Sequence, residues 1–196
     1  MTSRLIVNSI RHTGASADAI TLDNSGNATF PANVTCSGTA SGFGGGKILQ
    51  VVESTSSTTV TTSGGTEADL LTLSITPSSS SSKIMVICSM IIGGQDGSLY
   101  VYKLLRGSTD ICVGDAASNR ARATIFGQHS GSAYIGESTS MTFLDSPSTT
   151  SETTYKVQGR SETGSGQRIS VNASDNDSDS ANIGRCASTI TAMEIG

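Results

Sequence analysis

The sequence predicts an all-β protein in two parts: a short N-terminal β shaft segment, then a jelly-roll or β-sandwich head. Three observations lead there. Apolar residues alternate with polar ones in short runs, with Gly, Ser, Asp and Pro between runs about ten residues apart. Ser and Thr together make up about 30% of the 196 residues, and only 14% are charged, against roughly 25% charged in an ordinary soluble domain. Finally, Ser41-Gly42-Phe43-Gly44-Gly45-Gly46 divides a thin polar front from a longer β-patterned remainder. The expected division is 1–40, a joint at 41–46, and a head over 47–196.

In the front segment, Ile20 and Leu22 alternate with polar residues, Asp23 to Asn27 form a turn, and Ala28 and Phe30 follow. Pro31 breaks the pattern, and Val34 and Cys36 resume it. Two or three such short strands are marginal in water on their own. Packing Ile20, Leu22, Phe30 and Val34 around a threefold axis of identical chains would bury the one apolar face, so a homotrimer is expected.

From Lys47 the predicted strands are Lys47–Ser54, Thr58–Ser63, Leu70–Thr76, Lys83–Ile92, Leu99–Arg106 and Thr109–Val113, then Arg122–Phe126, Ser140–Asp145, Thr153–Gly159, Arg168–Ala173 and Ala187–Ile195. Lys83–Ile92 is apolar almost throughout and reads as a central strand buried on both faces. The serine run Ser78–Ser82 after Pro77 reads as a loop, and Ala116–Ala123 as at most one polar helical turn. Evenly spaced short strands with turn residues between them point to a sandwich or jelly roll.

Composition excludes several classes of function. A net charge of −4 with no basic cluster argues against nucleic-acid binding. Ile84–Ile92 is too short to cross a bilayer, and the N-terminus has no apolar core of a secretory signal, so a soluble product of a cytoplasm is expected. Cys36, Cys88, Cys112 and Cys186 match neither zinc nor redox spacing and are expected as free thiols.

Catalytic patterns are equally thin. His12 and His129 have no GxSxG elbow to serve, and His129 reads as a polar residue of a glycine-flanked loop. Ser80-Ser81-Ser82-Lys83 matches S-x-x-K, but a strand follows where that motif needs a helix. Asp175, Asp177 and Asp179 are the residues a loose Ca²⁺ site would use. Without the glycine and glutamate of an EF-hand they read as a solvated acidic loop. A glycosidase would need paired carboxylates in a groove; Glu137, Asp145, Glu152 and Glu162 sit in polar stretches, and the chain has no Trp. No metal, cofactor or catalytic role is expected.

Residues 19–38, AITLDNSGNATFPANVTCSG, resemble the short N-terminal repeat of tailed-phage fibre proteins, those of cyanophages especially. LLRGSTDICVGD, MTFLDSPSTTSETTYKVQGRSE and the terminal ASTITAMEIG are similar to the C-terminal head of the same fibres. The resemblance covers most of the chain, with one shaft unit where fibres often have several. It implies a trimeric jelly-roll head at the tip of a tail fibre, located in the virion and assembled in the host cytoplasm. The N-terminal segment would dock on another virion protein of baseplate, tail or capsid, and the head would touch a host-surface glycan or protein. A capsid decoration without a receptor role is the alternative, and a polysaccharide depolymerase the third reading. For the exposed tip the expected residues are Asp145, Ser146, Thr149 and Glu152 from one loop, with Asp175, Asp177 and Asn182 from another.

Overall fold

The computed structural model describes residues 6–31, 34, 47–129, 131–162 and 167–196. The chain divides into two compact units, Met1–Gly45 and Gly46–Gly196. Among the described residues there is no helix.

The front unit is one small antiparallel sheet of β1 (Ser9–Ile10), β2 (Ile20–Leu22) and β3 (Ala28–Thr29), in that order. Its turn is built by Asp23, whose carboxylate accepts from Ser25 N, Asn27 N and Asn27 Nδ2 at 2.8–2.9 Å. Gly26 supplies the positive φ of 85°. The Asn27 side chain and backbone hold the Asp23 carboxyl below its ordinary range. Ile6, Ile10, Leu22, Phe30 and Val34 are all exposed, from 40 to 81%. Of the strand expected to resume at Val34, Val34 itself is outside any strand, and Cys36 lies outside the described residues.

In the second unit every predicted strand has its counterpart: β4 (Ile48–Ser56), β5 (Val60–Ser63), β6 (Ala68–Ile75), β7 (Lys83–Gly94), β8 (Leu99–Arg106), β9 (Thr109–Ile111), β10 (Ile125–Gln128), β11 (Glu137–Asp145), β12 (Thr153–Ser161), β13 (Arg168–Val171) and β14 (Ser188–Ile195). All pairings are antiparallel. In one sheet β7 is central, with β11 along one side. On its other side lie β14 and then β13, backed by β4 and β5. In the other sheet β12 lies between β6 and β8, and β9 and β10 continue from the far side of β8. Counting β4–β5, β9–β10 and β13–β14 as single positions gives eight, ordered 1-8-3-6 and 2-7-4-5. Every successive pair of positions except 4 and 5 crosses between the sheets, which makes the unit a jelly-roll sandwich.

Alternation sets the core. From β7 it takes Ile84, Val86, Cys88, Met90 and Ile92; the opposite sheet supplies Leu71, Leu73, Ile75, Tyr102, Leu104, Tyr155 and Val157. Burial drives the Cys88 thiol up to about 12, so it packs as a small apolar side chain.

Two neighbouring strands of the first sheet break at the same height. β4 passes to β5 through 57–59, and β13 passes to β14 through an excursion, 172–187. Asn172 holds the break together. It is buried, with φ 68°. Its Nδ2 donates to Ser56 O and Thr58 O, both at 2.9 Å, and its Oδ1 accepts from Ser188 Oγ at 2.5 Å. Its backbone N–H donates to Ile91 O on β7. Gly93 is a glycine because a Cβ there would collide with Ala173 O at the excursion's base.

The chain enters the sandwich where Lys47 and Gly196 exchange backbone bonds of 3.3 and 2.9 Å. Beside them the serine run serves a buried carboxylate. Glu194 accepts from Ser78 N and Ser78 Oγ at 2.7 Å and from Gln50 Nε2 at 2.6 Å. Burial pushes this carboxyl up, but these bonds outweigh it and hold the group at about 2. Ser82 Oγ, buried nearby without a hydrogen bond of good geometry, adds to the effect.

Replacing Asn172 with Ala leaves two carbonyls at the break and the buried Ser188 hydroxyl without their partner and puts Ala at positive φ. The expected loss is about 3 kcal/mol in urea unfolding. The depressed Glu194 contributes stability that is complete above its ordinary 4.5 and is lost as pH falls through about 2. Glu194→Gln should flatten the fall of the unfolding midpoint across that window; an unchanged acid slope would contradict the assignment.

Candidate functional site

The two loops expected to form one exposed tip sit at different places along the sandwich. Strands alternate in direction, so the entry end gathers 76–82, the Gly107 turn, 146–152 and the C-terminus. The far end gathers the turns at 64–67, 95–98 and 129–136. Along β11, Asp145 pairs with Ile84 at the entry end and Glu137 with Ile92 near the far end. That separates them by roughly 26 Å at about 3.3 Å per residue. The 172–187 excursion leaves the sheet on the far side, and Asn176 N donates to Ala133 O of the 129–136 loop.

Asp145 is not an exposed contact residue. It is 6% exposed. Both its oxygens accept from Arg106 Nη1 at 2.8 Å, and Oδ2 accepts from Tyr155 Oη at 2.6 Å. Arg106 arrives from β8 and Tyr155 from β12, so the trio clasps the two sheets at the entry end. Ser146 and Glu152 are exposed, while Thr149 is half-buried and its Oγ1 accepts from Ser151 N.

The three aspartates of the excursion do not share a centre. The Asp175 side chain is buried against Arg168, with Nη2 at 2.8 Å. Asp177 is paired with Arg185, whose Nη1 also donates to Thr59 Oγ1 in the β4–β5 gap. Asp179 and Asn182 are exposed. Among the described residues no group of three acid, His or Cys side chains gathers for a metal. The arginines brace the excursion instead, as does the Ala173–Arg185 bridge across its base.

His129, read as a polar loop residue, is completely buried. Its Nε2 is 3.5 Å from Ser132 O, and its Nδ1 is 3.7 Å from Glu137 Oε1 without a hydrogen bond. Among the described residues no hydroxyl or thiol donates to it. Lys83 of the S-x-x-K match is the first residue of β7.

The outer face of the β6–β12–β8 sheet carries a concavity of about 510 Å³. The segment 112–124 arches over this face, held by Thr124 N to Tyr102 O and by Arg122 Nε to Gly114 O. Its floor is Val101, its walls Arg120, Ala123 and Thr124, and its rim Phe126 and Glu162. Phe126 is 62% exposed, because Ile125 points inward and the next residue of β10 must point out. No acid pairs with Arg120 among the described residues. Volume, an open aromatic face and a guanidinium suit a small polar ligand such as a sugar unit. Sequence reading missed this groove. The outward Phe126 was legible from alternation, but the arch that walls it was not.

No family model and no curated protein matches the chain. Among solved structures, the chain is similar to infectious bursal virus derived T=1 particles. Identity is 10%, the TM-score 0.41, and the match covers 74% of this chain and 37% of that one. The infectious bursal disease virus VP2 subviral particle matches at 10% identity and TM-score 0.38, over 74% and 39%. The chain spans well under half the length of these neighbours. Its jelly-roll assignment stands on its own strand pairing.

Removing the clasp with Asp145→Ala should cost about 3 kcal/mol, since it strands a partly buried arginine and a buried phenol. Asp179→Ala should stay within about 0.5 kcal/mol. Thermal unfolding of the two variants side by side checks the contrast.

Proposed function

We propose that this chain is a virion tail fibre, a homotrimer that attaches to the host surface by multivalent binding. Its front segment joins another virion protein of baseplate, tail or capsid, and its head engages a host glycan or protein. The observation that carries this reading is the polarity of the head. The chain enters at one end, beside Lys47 and Gly196, while the braced excursion and the 129–136 loop lie away from that end. The exposed apolar residues of the front segment support assembly from copies. The resemblance of residues 19–38 and of the C-terminal stretches to phage fibres points the same way.

The mechanism is multivalent contact. Three shallow grooves on one fibre, and several fibres on one particle, give avidity without a tight single site. Phe126 supplies a stacking face, and Arg120 a charged donor for a hydroxyl or carboxylate of the sugar. No covalent chemistry enters this role.

The test is binding of fluorescently labelled full-length chain to a panel of cyanobacterial cells, alongside its mass by light scattering. A mass of about 60 kDa for three 19.9 kDa chains is expected. Phe126→Ala and Arg120→Ala should each weaken cell binding about tenfold without changing that mass. A trimer that binds no cell would instead favour a capsid decoration.

A further inference from the structure

The outer faces of the two sheets differ in kind. On the β6–β12–β8 sheet, beside the groove floored by Val101, the outward face carries ion pairs: Lys156 with Asp69 at 3.1 Å, and Lys103 with Glu67 at 3.0 Å and Asp110 at 3.4 Å. Gln158 adds a bond to Asp69. The β4–β14–β7–β11 sheet has no ion pair on its outer face among the described residues. Its register places Leu144 opposite Met85, Met85 opposite Met193, and Met193 opposite Val51. All four alternate with core residues, so all four point outward. The result is an apolar row across four strands, about 14 Å wide at about 4.8 Å per strand. Val51 is 56% exposed and Leu144 41%. The next row toward the far end is Thr142, Ile87, Thr191 and Glu53, and the row after it is Ser140, Ser89, Thr189 and Thr55. The one row that is apolar on all four strands lies in the half of the sheet beside the chain entry, where Ile48 and Leu49 extend it, while farther along only Ile87 and Ile91 of β7 interrupt the polar rows.

We propose that this band, Leu144–Met85–Met193–Val51, packs against the same band of other copies of this chain. The inference rests on the homotrimer reading and names the face of the head that the trimer buries. Three features select a copy as the occupant. The band adjoins Lys47, so chains joined through their front segments carry it at the same distance from the joint. The band itself holds no charge, so identical bands meet without like-charge repulsion. The front segment leaves its own apolar residues uncovered, and further copies of one chain can cover both surfaces. Met85 and Met193 suit such a seam, because unbranched thioethers adapt to a facing copy.

The experiment is peroxide oxidation of the full-length chain, read residue by residue by peptide mass spectrometry, with mass from light scattering on the same sample. Met90, completely buried in the core, is the internal reference. The expected result is a trimer in which Met85 and Met193 oxidise within about threefold of Met90. In the double variant Val51→Glu, Leu144→Glu, their oxidation should rise about tenfold or more while Met90 stays protected, which also shows that the head remains folded. A native trimer whose Met85 and Met193 oxidise freely would overturn the proposal and leave the trimer standing. A native monomer would overturn the trimer reading and this proposal with it.

Discussion

The head depends on one buried amide. Two adjacent strand positions of the same sheet stop and restart at the same height, which would ordinarily leave carbonyls at the break without their ladder donors. Asn172 closes that gap with its side chain, giving Ser56 O and Thr58 O the donors that a continuous ladder would supply. Asn also tolerates the left-handed backbone at the point where the excursion departs. β7 can then run unbroken through twelve residues while its neighbours change on one side. The core follows from that strand, because its inward residues touch both sheets.

Around this frame the polar groups are apportioned by place. The entry end is closed by two buried carboxylates, each fully engaged: Glu194 by Ser78 and Gln50, Asp145 by Arg106 and Tyr155. Buried charges of this kind are tolerable only when every oxygen has a donor. The far side spends its arginines differently, on Asp175 and Asp177, to stiffen a long loop. One broad face carries paired charges beside the groove, and the other a narrow apolar row.

Much of this was legible in the sequence, and the failures have physical causes. The strands could be read because alternation and turn residues are local signals. β7 read as central because both of its faces carry large apolar side chains. Strand order could not be read, since it depends on partners far apart in the chain. The loop beginning at Asp145 and the one at Asp175 looked alike as polar segments. Assigning each to an end of the sandwich requires knowing that β4 with β5, and β13 with β14, count as one position each. Asp145 itself misled for the same reason: its donors come from β8 and β12, and nothing adjacent to it announces them. His129 was read as a polar loop residue because glycines flank it, yet its ring is buried against Gly94, where a Cβ would come within 3.2–3.3 Å of it. The serine run looked like filler, although its first member is half of the Glu194 cradle.

The excursion between β13 and β14 is a closed loop pinned at its neck, where Cys186 N donates to Asn172 O and Ala173 bridges Arg185. Once a neck is pinned, the entropy of the segment beyond it grows only as the logarithm of its length, about 0.6 kcal/mol for each doubling. The neck thus insulates the sandwich from whatever is threaded through it. A lineage can lengthen, shorten or rewrite that segment at small thermodynamic cost, and an engineer can splice a foreign peptide into it on the same terms.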